Sequence, residues 1–169
     1  MKRRTYMFLI IALGALLQQI LPGIALFGGI KPPILAALAL HHALHKGKPD
    51  LWMAVFFAAL LRDGLDLGSF GPALLAFPAL GWFAVRIRNE IFFEELATQM
   101  VLGAMMGLFA ALVALLVYSA TGQRAVPPGL AFARLAGSLL LGMATLPLVS
   151  RAVNALESLS PKRKGYGWQ

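Results

Sequence analysis

The chain has 169 residues, of which 59% are hydrophobic and 13% charged, and a formal net charge of +8. A soluble domain of this length needs a polar surface over its core, and too few polar residues are present to make one, so composition predicts an integral membrane protein. There are no cysteines, which excludes disulfides, iron–sulfur clusters and thiol chemistry.

The chain opens on "MKRRTYMFLIIALGALL", a basic start and then an apolar run. This has the form of a secretory signal. No small-x-small cleavage site follows Leu17, however, and further apolar runs come after it. The stretch therefore reads as a first transmembrane helix, Tyr6 to about Leu21, that also serves as the targeting signal. Gln18 and Gln19 near its end can hydrogen-bond to other helices, and Pro22 and Gly23 close it.

A second, short span runs from Pro33 to about His45 and ends in "HHALH". His41 and His45 share a face at i, i+4, a spacing that can hold a metal. No carboxylate or cysteine accompanies them, so no metal site is expected. The favoured reading is a set of interfacial histidines beside Lys46 and Lys48.

The third span begins at Leu51 and runs into "LLRDGLDLGSFGP". Two placements are open. If the helix continues, Arg62 lies roughly 16 Å along it, near mid-membrane, where a charge costs several kcal/mol unless paired or hydrated. Arg62 and Asp66, at i, i+4, then pair on one face, and Asp63 points toward another helix. Gly64 and Gly68 would let the backbone bend or accept a close neighbour. Otherwise the helix ends at Leu61, and "RDGLDLGS" is a wet loop whose Ser69 caps the next helix.

The fourth span is Phe70 to Ile87. After it, "RIRNEIFFEEL" carries Arg86, Arg88, Glu90, Glu94 and Glu95, with Phe92 and Phe93 between the charges. It reads as an amphipathic segment at the cytoplasmic surface, solvated or touching a partner. The fifth span, Leu96 to Tyr118, contains a GxxxG pair, Gly103 and Gly107. Small residues at that spacing let helices approach closely, and packing within the bundle is favoured over dimerisation. The sixth span runs from about Phe132 to Val153, with Ser138 and Thr145 able to bond between helices, and a basic tail, 158–169, follows.

The basic residues sit in short clusters between apolar runs, which orients a membrane protein and does not make a nucleic-acid face. One side carries Lys2, Arg3, Arg4, Lys46, Lys48, Arg86, Arg88, Arg151, Lys162, Arg163 and Lys164; the other carries Lys31, Arg62, Arg124 and Arg134. The excess marks the cytoplasmic side, so both termini face the cytoplasm, as an even number of spans requires. The expectation is an all-α integral membrane protein, six transmembrane helices in one compact bundle, residues 1–169 forming a single domain. No Ser–His–Asp set, HExxH or Gly-rich phosphate loop occurs, and no enzyme site is expected.

The segment from Lys31 to Arg88 resembles the rod-shape-determining protein MreD family. "IKPPILAALALHHAL" looks like the family's basic-plus-proline entry into its second span. "RDGLDLGSFGPALLAFPALGWF" is similar to its pattern of an Asp, a Ser/Gly-rich link and a Gly step into an apolar span, with Asp63 eight residues before Gly71. Departures are Ala59 where a Gly is usual, Phe70 for Leu, Arg62 as an added charge beside Asp63, and a second proline, Pro33, where a polar residue is common. The resemblance implies a non-enzymatic scaffold of the cell-elongation machinery in the bacterial inner membrane, without cofactor. Its partner would be an MreC-like single-span protein, with links to MreB filaments and to RodA and its transpeptidase. The site would be the polar cluster Arg62, Asp63, Asp66 and Lys31. The family is also similar in fold to substrate-binding subunits of energy-coupling-factor transporters, which makes a small-molecule transport subunit the rival expectation.

Overall fold

The structure is a computed structural model that describes residues 2–45, 48–66, 71–88, 90, 95–122 and 127–159. Among these there are six α-helices and no strand: α1 (Lys2–Ile20), α2 (Ile34–His45), α3 (Lys48–Leu65), α4 (Pro72–Ile87), α5 (Leu96–Ala120) and α6 (Pro128–Leu159). The order matches the six expected apolar segments. Two of the helices, Leu96–Ala120 and Pro128–Leu156, are long and apolar enough to cross a membrane by length and composition. The expected six spans are therefore six helices of unequal reach. At a rise of about 1.5 Å per residue, the 12 residues of α2 reach only about 18 Å.

α2 explains its own shortness by its position. It is apolar nearly all round, a pattern that suits a helix enclosed by its neighbours. Every residue from Ile34 to Leu44 is buried, and α2 touches all five other helices. Around it α1, α3, α4, α5 and α6 follow one another. The Tyr6 hydroxyl of α1 closes the ring by donating to the Leu156 carbonyl of α6 at 2.9 Å.

Alanine sets the close spacing on α3, whose Leu51, Ala54, Val55, Ala58 and Ala59 are fully buried. α1 and α3 run parallel in a constant register. Arg4 Nε pairs with Asp50 Oδ1 at 2.9 Å at one end, and Gln19 Nε2 donates to the Leu65 carbonyl at the other. Between α5 and α6 the backbones themselves touch. A Cβ on Gly103 would fall on the Gly142 carbonyl, and one on Gly107 on the Ser138 carbonyl. The GxxxG pair thus faces α6 of the same chain. Pro78 and Pro147 interrupt α4 and α6 without ending them.

The α1–α2 connection is a compact turn. Ile24 N–H donates to the Ile30 carbonyl at 2.9 Å, and Gly28 and Gly29 take positive φ angles of 69° and 78°. The turn folds back on α6, where a Cβ on Gly137 would strike Phe27 and one on Gly28 would come within 3.3 Å of Arg134 Cγ.

Candidate functional site

The charged stretch at the end of α3 resolves into two devices. α3 does not stop at Leu61; it carries Arg62 in its last turn and ends at Leu65. Arg62 pairs with Asp66 at 3.3 Å, and both side chains are partly exposed. Arg62 is thus at the helix end, not in its middle. Gly64 has no neighbour within 4 Å of its missing Cβ, so it serves no close approach. Gly68 and Ser69 lie outside the described residues.

Asp63 is buried and turns the other way. Its carboxylate accepts three backbone N–H groups of the next helix: Gly71 at 3.1 Å, Ala73 at 3.0 Å and Leu74 at 3.0 Å. A helix start leaves its first N–H groups without internal partners. Pro72, the first residue of α4, has no N–H to satisfy, and the first helical bond, from Leu75 to the Gly71 carbonyl, spans 3.1 Å. Gly71 precedes α4 with φ 134° and no capping side chain of its own. Asp63 therefore satisfies every donor that α4 exposes before its own ladder begins. An anionic acceptor also suits the positive end of the helix dipole.

Lys31 is held at the same end of the bundle. Its ammonium donates to the Gln19 carbonyl at 2.9 Å and to Gln19 Oε1 at 3.0 Å. Gln18 is buried, and its Oε1 accepts the Leu35 N–H in the first turn of α2 at 2.8 Å. Thr145 bonds the Leu141 carbonyl of its own helix, not another helix.

Gln18 and the charged side chains at this end line one cavity of about 350 Å³. Lys31, Arg62, Asp63 and Asp66, expected as a cluster, all line it. So do Gly107 from α5 and a residue that sequence reasoning placed only in a charge tally, Arg134 of α6. Gly103 lies one turn farther along the α5–α6 seam. The wall toward the core is apolar, formed by Ala36, Ala73, Ala76 and Phe77, all buried.

The opposite end of the bundle holds the histidines. They are not interfacial as a set: His41 and His42 are buried, and only His45 is exposed. The central place of α2 is the reason, since other helices cover its last turns. The i, i+4 spacing of His41 and His45 produces a ring stack with centroids 4.2 Å apart. His41 Nδ1 lies 3.1 Å from Ser150 Oγ of α6. Among the described residues no three His, Cys, Asp or Glu side chains are grouped as metal ligands. α4 ends at Ile87 and Glu90 follows in a turn, so Arg86 and Glu90 do not share a helix. Residues 91–94, Lys46, Arg124 and the tail 160–169 lie outside the described residues.

Compared with family models, curated proteins and solved structures, the chain matches none.

Proposed function

We propose that the chain is a non-enzymatic scaffold subunit of the bacterial cell-elongation machinery, with all six helices in the cytoplasmic membrane and both termini cytoplasmic. The observation that carries this reading is the bond between Asp63 and Gly71. These are the two residues on which the resemblance to the MreD family turns, and here they make one device that fixes the α3–α4 link. A second support is the outer surface. Leu9, Leu13, Leu75, Trp82, Leu116 and Leu148 are all exposed, on four different helices. Apolar side chains spread over several faces suit lipid better than water. The short α2 needs no lipid contact, because its neighbours enclose it.

In this reading the partner is an MreC-like single-span protein, with MreB filaments, RodA and its transpeptidase joined indirectly. Arg62 and Asp66 are the exposed members of the cluster and the ones available to a partner helix. The test is a mild-detergent pull-down of the tagged full chain from its own membranes, read by mass spectrometry. Recovery of an MreC-like protein with RodA or its transpeptidase is expected, and its loss from an Arg62→Ala/Asp66→Ala variant would assign the contact. The cavity favours one other reading, a substrate-binding subunit of an energy-coupling-factor transporter. Recovery of paired ATPases and a second membrane subunit would select that reading and overturn the scaffold.

A further inference from the structure

The cavity between the α1–α2 turn, the end of α3 and the facing stretches of α5 and α6 has an uneven charge ledger. Three cations line it, Lys31, Arg62 and Arg134, against two carboxylates, Asp63 and Asp66. Each of the others is engaged. Asp66 holds Arg62 at 3.3 Å. Asp63 is occupied by three N–H groups. Lys31 is fixed by two neutral oxygens of Gln19, which orient its ammonium but leave its charge uncompensated. Arg134 is half-buried, and among the described residues no ion pair or hydrogen bond reaches its guanidinium.

Holding a guanidinium partly out of water without an anion is costly unless a ligand supplies one. The chain nevertheless positions this one. Arg134 lies against the α1–α2 turn at a glycine: a Cβ on Gly28 would stand 3.3 Å from Arg134 Cγ and 3.5 Å from Nε. A Cβ there would meet Leu130 Cδ1 first, at 2.6 Å, and press only lightly on Arg134. Beyond the charges, the buried wall of Ala36, Ala73, Ala76 and Phe77 offers apolar surface. The volume, about 350 Å³, is at the lower end of what a small ligand needs.

We propose that this cavity binds a phosphate-bearing ligand with an apolar body, its oxyanion held by Arg134 and Lys31. A guanidinium presents paired donors that match a phosphate, and a second, compact positive charge suits a group with more than one negative charge. The phosphate can belong to a membrane lipid head or to a soluble phosphomonoester; the recognition chemistry is the same. The proposal goes beyond the scaffold reading and does not rest on it, because ligand binding and partner capture are separate readouts.

The full chain in neutral detergent would be titrated by calorimetry and native mass spectrometry with three probes. These are dioctanoyl phosphatidic acid, dioctanoyl phosphatidylcholine and glycerol 3-phosphate. One saturable site for phosphatidic acid, stronger than for phosphatidylcholine, is expected. Arg134→Gln should weaken it about tenfold, the loss of one charge-assisted bond, and Arg134→Lys should weaken it less. Ala114→Trp, which fills the cavity from a half-buried position on its wall, should abolish it. Arg151→Gln, exposed at the far end of α6, should change nothing. Glycerol 3-phosphate binding with the same variant pattern would assign the soluble source. Equal binding of both lipids, no saturable binding of any probe, or binding that Arg134→Gln leaves unchanged would overturn the proposal. Circular dichroism and elution profile would verify the fold of each variant, and Arg134→Lys remains as the mildest test if Ala114→Trp does not fold.

Discussion

Gln18 of α1 and Leu35 of α2 are joined by a buried hydrogen bond of 2.8 Å, in which a side chain from the preceding helix accepts a first-turn N–H of the next. Asp63 of α3 does the same for α4. Two helix starts at the cavity end are thus capped from outside their own sequence, by the helix that precedes them. Neither cap sits at the adjoining position where serine, threonine or aspartate ordinarily does.

Removal of the Asp63 carboxylate leaves three N–H groups at a buried helix start without acceptors. Asp63→Ala should cost about 3 kcal/mol or more in thermal unfolding followed by circular dichroism in detergent. Asp63→Asn should also destabilise, since its amide nitrogen would face N–H donors. Arg62→Gln, which breaks only a partly exposed ion pair, should stay within about 1 kcal/mol of the parent. Equal melting of Asp63→Ala and the parent protein would remove the capping role.

Gln18 offers a second, independent case. Gln18→Ala strands the Leu35 N–H in the interior, and a loss of about 1–3 kcal/mol is expected. Gln18→Glu keeps an acceptor at the same place and should recover part of that loss against Gln18→Leu, which does not. A melting series that ranks Leu above Glu would contradict the assignment.

Glycines along the α5–α6 seam should separate sharply from Gly64, which has open space around it. Gly107→Val and Gly103→Val press a side chain onto a carbonyl of α6, and backbone cannot step aside cheaply. Each should lower stability by about 1–3 kcal/mol or prevent folding. Gly64→Ala meets nothing within 4 Å and lies inside a helix, so it should raise stability by about 0.5–1 kcal/mol. Parallel melts of the three variants check the contrast.

The helices were legible in the sequence because apolar runs and breaks mark them; α5 begins at Leu96, where its run begins. α6 starts earlier and ends later than its apolar core, from Pro128 to Leu159, since helix propagates through flanking polar residues that hydropathy trims away. The Arg62–Asp66 pair follows from spacing alone. The partners of Asp63 do not, because they lie eight to eleven residues on, across a turn, and no periodic rule reaches that far. Burial of His41 and His42 was hidden by the uniform apolarity of α2, which has no polar face to say which side is covered. Arg134 read as one boundary charge among four, since only folding brings it beside Gly28.

The central place of α2 bears on the order in which the chain can be assembled. α2 is made early, yet part of its cover is made much later: His41 meets Ser150, 109 residues on. A nascent chain that has not yet released α6 holds its central, most fully buried helix only partly enclosed. Truncation before α6 should therefore yield a product that cellular quality control degrades, because α6 completes the cover of α2.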